Sequence, residues 1–424
     1  MAASNRRVVL TGIGIISPIG LDPTSFWESL ASGQSGIKTI SVFDPRHLPT
    51  RFAGEIVGFD IKKYLVGKEE RKQIRVMSRT IQLAVAAANV AMADAKVDKQ
   101  QLDPTRFGVE FGAGLIPSEL DELGMAAHVS TEANAHSVDL KIWGKEGIGN
   151  IPPLWMLKYL PNMLACHVSI LHNAQGPNNT ITESEVASLL ALGEATRIIQ
   201  RDQADFFLVG GADSKLTPLS MVRQTLFGQM SRCNETPAEA IKPFDRRRDG
   251  LAFGEGSGVL VAEELEHARR RGAAIYGEIV GFGSAFDRGL TGAGLARAIR
   301  IALGQASVAP ADIDHVNAHG LGSIKLDAFE ARGINEVFGT AVPVWSIKPN
   351  VGHLSAGSGT TDLAASLLAM KHGVLPPTLN YQEPDPACPV RVLSQPRDIV
   401  KPYFVKVGYT EMGQCGAVVC RRWE

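Results

Sequence analysis

The sequence has few cysteines and no pattern among them. Cys166, Cys233, Cys388, Cys415 and Cys420 are five in 424 residues, an odd number without a C-x-x-C pair. That fits reduced thiols better than a disulfide framework and gives no support for structural zinc. H-E-x-x-H is missing and the histidines are scattered, so no metal signature is present. No apolar run approaches the roughly 18 residues of a membrane span. The apolar stretch after Met1–Arg7 is only Val8–Leu10, too short for the core of a secretion signal, so the expectation is a cytoplasmic protein. Net charge is lacking too: 43 Lys and Arg stand against 44 Asp and Glu, a formal charge of −1. No overall field draws the chain to nucleic acid or an anionic membrane, and any acidic partner must use a local patch.

What is present is an ordinary globular composition, 45% hydrophobic and 21% charged. At about 150 residues per domain, the length implies two or three units or one large duplicated one. Arg7–Gly12, Phe107–Phe111, Phe206–Gly210 and Ile313–Asn317 read as short strands bounded by Gly or polar residues. Ile74, Met77, Ile81, Ala84, Ala88 and Met92 fall three or four apart, which predicts one long amphipathic helix. Strands alternating with helices argue for α/β architecture with buried sheets. Ala187-Ser-Leu-Leu-Ala191 recurs as Ala365-Ser-Leu-Leu-Ala369, in each case inside an apolar, small-residue-rich helical stretch. The echo points to a duplicated fold, with halves 1–262 and 263–424 joined near the charged run Glu263 to Arg271.

Several ordered segments resemble the condensing enzymes of the thiolase-like superfamily, specifically β-ketoacyl-acyl-carrier-protein synthase II and the type II polyketide ketosynthases. They are Val8–Gly20, Gly176-Pro-Asn-Asn-Thr-Ile181, Gly210-Gly-Ala-Asp213, Pro243–Gly250 with Gly254–Gly258, Asn317-Ala-His-Gly320 and Ser346–His353. The resemblance spans nearly the whole chain. It implies a thiolase-like duplicated αβαβα five-layer sandwich, a dimer, and no cofactor beyond the phosphopantetheine of an acyl carrier protein. Gly12 and Gly14 then look like turn glycines at a strand end. A dinucleotide site is the weaker reading, because Ser17 stands where the third fingerprint glycine belongs.

The family places a nucleophilic Cys at the N-terminus of a central helix, and alignment puts Glu185 there. Ser184 lies one residue off as a substitute nucleophile, and Gly-x-Ser-x-Gly is missing around it. The neighbours Thr182-Glu-Ser-Glu-Val-Ala-Ser188 also depart from the family pattern, and Glu411 stands in place of the gatekeeper aromatic in Thr410-Glu-Met-Gly413. His319 and His353 match the two catalytic histidines, and Lys348, Asp327 and Glu330 match the supporting polar network. Lys348 reads equally well as a buried salt-bridge partner. Without the matching motifs, the other eight histidines read as ordinary core or loop residues. Lys68, Arg71 and Lys72 lie where similar proteins offer basic residues to an acidic carrier protein; the bland reading is a solvated helix start. Asp245, Arg248, Asp249 and Glu255 read as scaffold near the site entrance.

A carboxylate cannot serve as the acyl-accepting, easily leaving nucleophile of a condensation cycle. An ionised Glu185 about 4 Å from a malonyl carboxylate would cost about 4 kcal/mol at an effective dielectric of about 20. Either Glu185 pairs with a histidine and plugs the pocket, or it is protonated and imitates the amide of decarboxylating family members that carry Gln. Two functions stay open at this stage. One is a non-condensing partner resembling a chain-length factor, paired with an active ketosynthase. The other is an enzyme that decarboxylates, or otherwise acts on, carrier-bound acyl groups through His319, His353 and Lys348.

Overall fold

Nine residues of strand β1, Val8–Ile16, are all buried, and their β-branched content suits a strand covered on both faces. The computed structural model describes residues 6–132, 136–227 and 229–424; Met1 to Asn5, where the leader reading begins, lie outside the described residues. The other principal strands are β2 (Phe107–Gly112), β3 (Asn178–Ile181), β4 (Phe206–Asp213), β5 (Gly256–Glu264), β6 (Gly277–Phe286), β7 (Ile313–Asn317), β8 (Pro343–Trp345), β9 (Arg391–Val392), β10 (Tyr403–Tyr409) and β11 (Gln414–Arg422). They form one sheet in the order β9-β8-β7-β10-β11-β6-β1-β5-β4-β2-β3.

The order is a duplication. The first half runs β3-β2-β4-β5-β1 and the second β8-β7-β10-β11-β6, so each places its own third, second, fourth, fifth and first strand side by side. In both halves the fifth strand is antiparallel to its neighbours while the second, third and fourth are parallel. The halves meet where β1 pairs antiparallel with β6, Val8 opposite Ile279.

Seven helices complete the layers: α1 (Arg79–Asp94), α2 (Met163–His172), α3 (Ala187–Gln200), α4 (Ala293–Ala306), α5 (Ile324–Phe338), α6 (Lys348–Val351) and α7 (Ser358–His372) are those used below. Helices α1 and α2 cover one outer face, α4 and α5 the other, and α3 and α7 are enclosed between the two halves of the sheet. This is the five-layer αβαβα sandwich. Helix α7 is buried from Ser358 through Met370, which explains its near-uniform apolar and small-residue composition.

Three local expectations need correction. The predicted helix from Ile74 is broken: Gln73–Val76 forms a 3-10 turn, Met77 is extended, and α1 starts at Arg79 after Ser78. Gly12 and Gly14 are not strand-end turn residues. They lie inside β1, where a Cβ on Gly14 would stand 1.9 Å from the Ala87 carbonyl oxygen and one on Gly12 2.6 Å from that of Ala91. The second half repeats the device, since a Cβ on Gly283 or Gly281 would meet the carbonyl oxygens of Ala298 at 2.0 Å and Ala302 at 2.1 Å. The pentapeptide echo is out of structural register: it occupies the first residues of α3 but begins seven residues into α7.

Candidate active site

The chain leaves β3 at Ile181 and enters α3 through a single 3-10 turn, Ser184–Val186. Ser184 holds φ +46°, a left-handed conformation that costs a non-glycine residue on the order of 1 kcal/mol. Glu185 follows at the positive end of the helix dipole. Its side chain is 21% exposed, and its Oε1 lies 3.9 Å from His353 Nε2, an ion-pair separation longer than a hydrogen bond. Burial alone would raise the carboxyl's pKa, but the adjacent His353 imidazole and the charge of Lys215 outweigh it. The result lies below the ordinary glutamate value, so Glu185 is a carboxylate at neutral pH.

His319 sits on the loop after β7, and His353 follows α6. Their ring centroids are 5.3 Å apart with planes at 87°. The Tyr409 ring packs edge-on to His319 at 5.0 Å. His319 is 1% exposed, and neither ring nitrogen has a hydrogen-bond partner among the described residues. Burial, followed by the charges of Lys348, His353 and Lys406, drives its pKa well below the usual histidine value, so the imidazole is neutral and offers one N–H. His353 is held by its backbone, with its N–H donating to the Ala252 carbonyl at 2.9 Å and its own carbonyl accepting from Gly254 N–H at 3.0 Å.

The supporting residues named from the sequence act on the loop backbone. Glu330 accepts the N–H groups of His319 at 2.6 Å and Gly320 at 2.8 Å. Asp327 accepts those of Leu321, Gly322 and Phe244, and burial pushes its carboxyl up to about 6. Lys348 is fully buried and donates to Asp362 Oδ2 at 2.5 Å. Lys406 shares the same oxygen at 2.7 Å and also donates to the Ala318 carbonyl at 3.1 Å. One carboxylate oxygen therefore pairs with two lysine amines behind His319, which fits the salt-bridge reading of Lys348. Asp362 and Lys406 escaped sequence reasoning; the available signal was a lone acid within a helix of small and apolar residues and a lone charge within an otherwise apolar strand.

A cavity of 370 Å³ opens in front of this cluster, lined by Glu185, His353, Phe253, Lys215, Arg223 and Glu411 among others. Lys215 and Arg223 were not anticipated. Lys215 bridges Asp213 at 3.0 Å and the Leu115 carbonyl at 2.5 Å. Glu411 lies in the turn between β10 and β11, and its carboxyl is held above the usual range, first by partial burial of its head group and then by the charge of Glu185. Ser184 also lines the cavity, but among the described residues its hydroxyl has no histidine or carboxylate hydrogen-bond partner. No cysteine lines this cavity, and burial pushes the Cys388 and Cys415 thiols up to about 12.

Lys68, Arg71 and Lys72 occupy a short exposed helix, Lys68–Lys72, and are not among the residues lining the cavity. Lys72 pairs with Glu69 at 2.6 Å, while Arg71 donates to the Leu65 carbonyl at 2.9 Å. The polar stretch after Pro243 is structural in its contacts. Asp245 accepts from Arg247 and from the Gln382 and Glu383 backbone, and Arg248 is buried against Asp385. Glu255 holds Arg79 at 2.7 Å, whereas Asp249 accepts the Arg232 N–H at 3.0 Å. Among the described residues no helix is long and apolar enough to cross a membrane.

Residues 5–268 match the model of the beta-ketoacyl synthase N-terminal domain, and residues 276–382 that of the C-terminal domain. A 3-oxoacyl-[acyl-carrier-protein] synthase 2 from Vibrio cholerae is 34% identical, over 98% of this chain and 96% of that protein. A putative polyketide beta-ketoacyl synthase 1 from Streptomyces halstedii is 37% identical, over 91% of this chain and 90% of its own length. Among solved structures, the ishigamide ketosynthase/chain length factor superposes with a TM-score of 0.86 at 27% identity, covering 99% of this chain and 100% of that one.

Proposed function

The chain belongs to the β-ketoacyl synthase family of fatty acid and type II polyketide synthesis, and from that premise we propose that it is a non-condensing member, a chain-length-factor-like partner of an active ketosynthase. One observation carries this reading: the residue at the entry to α3 is a glutamate, Glu185, whose carboxyl faces His353 at 3.9 Å. A thioester acyl group passed to that carboxylate would form a mixed anhydride, which water destroys before a second thioester could use it. The substrate is an acyl group on the phosphopantetheine of an acyl carrier protein, as the name of the Vibrio cholerae relative suggests. Lys68, Arg71 and Lys72 are proposed to dock that acidic carrier, and the halves are proposed to be 1–262 and 263–424, joined near Glu263 to Arg271 where β5 ends.

Coexpression with a ketosynthase that carries its cysteine tests the partner role. The expected result is a one-to-one complex by native mass spectrometry and a product whose length changes with variants on this chain. A lone homodimer that never exchanges with the ketosynthase overturns it.

The second reading is decarboxylation of a malonyl thioester, favoured by the pairing of His353, which lines the cavity, with the buried His319 behind it, ring centroids 5.3 Å apart. The charge on Glu185 opposes it, since repulsion of about 4 kcal/mol at about 4 Å weakens malonyl binding nearly a thousandfold. Release of labelled carbon dioxide from malonyl carrier protein by the purified chain would make this the correct reading.

A further inference from the structure

Glu185 and His353 lie in a geometry that neither plugs the cavity nor suits malonyl groups. The carboxylate is partly exposed, and its 3.9 Å separation from His353 Nε2 is too long for a direct hydrogen bond. That spacing lets the two groups address two different oxygens attached to one carbon. The 370 Å³ cavity that both line has room for an uncharged acyl carbonyl and an attacking water. The second imidazole, His319, packs edge-on behind His353, buried and neutral, so it adds no charge beside the His353 ring.

We propose that this pocket hydrolyses uncharged acyl thioesters of a pantetheine arm, with Glu185 as the general base and His353 as the donor to the developing oxyanion. The substrate class rests on the family reading above, and the activity does not depend on the partner role. Glu185 removes one proton from water as the water oxygen bonds to the thioester carbonyl carbon. The carbonyl oxygen becomes an oxyanion that accepts the His353 Nε2–H. Collapse breaks the carbon–sulfur bond, and the leaving thiolate takes the proton held by Glu185. The products are a free carboxylic acid and a free thiol, with no oxidant, reductant or second acyl group consumed. An acyl chain with a terminal carboxylate close to the thioester is excluded by Glu185, whereas a simple alkyl chain is not.

The test uses the purified full-length chain with acetyl-, octanoyl- and palmitoyl-pantetheine, with thiol release followed by a chromogenic disulfide. These small thioesters need no carrier docking, so the result is independent of whether a ketosynthase partner binds; complex formation is read separately by native mass. Thiol release is expected from at least one of the three. Glu185→Gln should lower it at least about 100-fold, the low end for loss of a general base, while Glu185→Asp retains part of it. With Glu185 facing His353, Lys215 and Glu411, the acid limb of the rate should fall below about 4.3, the ordinary glutamate value. In ¹⁸O-water the label should enter the released acid and stay out of the peptide containing residue 185. Any of three results overturns the proposal: no thiol release above the background hydrolysis, an unchanged rate in Glu185→Gln, or label in the Glu185 carboxyl, which would mean a covalent anhydride. If Glu185→Gln fails to fold, a Glu185→Asp rate equal to the parent's with an unmoved acid limb also overturns it.

Discussion

Ser184 and Ser355 both hold φ +46°, each in a 3-10 turn that leads directly into one of the two enclosed helices, α3 and α7. Both line the same cavity. After the first comes Glu185; after the second comes Ala356, fully buried, whose carbonyl oxygen lies so close beneath Gly211 that a Cβ there would stand 2.3 Å away. The strained turn therefore belongs to the duplicated architecture, because it recurs where no titratable group follows. Strain at Ser184 is no evidence for chemistry at 185. The evidence is the carboxylate itself and the imidazole that the other half brings to it.

The largest expected effect tests whether the two halves are built to the same tolerance. Gly14→Ala and Gly283→Ala each drive a methyl into a helix carbonyl, at 1.9 and 2.0 Å, and backbone cannot swing away as a side chain can. Each should cost at least about 3 kcal/mol, the upper end of ordinary overpacking, visible as a lowered urea midpoint or loss of soluble protein. A normal midpoint in one but not the other would break the equivalence.

Asp362 sharpens the contrast, since the matching position in α3, four residues into the helix, is Ala191. Asp362→Asn would leave Lys348 and Lys406 buried without a counter-charge, at a cost of about 3–5 kcal/mol. Thermal unfolding of this variant beside Lys406→Met should rank the aspartate change as the worse by a clear margin.

The first half holds a different acid. Glu110 in β2 is fully buried, neither carboxyl oxygen has a well-formed hydrogen bond, and burial, with the charge of Glu194, pushes it up to about 7. It is protonated in the folded state below that value, while the unfolded chain releases the proton near 4.5. The unfolded state thus binds fewer protons between about 4.5 and 7, and stability falls as pH rises through that window. The loss is on the order of 3 kcal/mol. Glu110→Gln should flatten this slope in urea titrations across the window; an unchanged slope would mean that Glu110 is not its source.

The smallest effect concerns the outer helices. If Ala87 and Ala91 of α1 correspond to Ala298 and Ala302 of α4, then Gly304 corresponds to Ala93. Nothing lies within 4 Å of a Cβ added at Gly304. Gly304→Ala should stabilise the protein by about 0.5–1 kcal/mol from helix propensity alone, read as a small rise in melting temperature.

These comparisons also indicate what could be read from the chain. Strands such as Phe107–Gly112 and Ile313–Asn317 were legible because their pattern is local and their ends carry turn residues. Glu185 was legible because flanking motifs fixed its alignment. Its ionisation was not, because that depends on His353 and Lys215, brought up from distant sequence. Gly12 and Gly14 were misplaced for the same reason: what a glycine makes room for is a helix that the sequence does not show beside it. Lys406 and Asp362 were missed because each gains meaning only from the other, across the packing of α7 against β10.

The flush seating of α1 on β1 and of α4 on β6 separates the walls of the molecule from its contents. The vessel is sealed by hydrogen-sized clearances at four positions, and none of them touches the reagent inside. Because the four seats lie apart from the cavity lining, side chains inside the vessel can change while its walls stay closed.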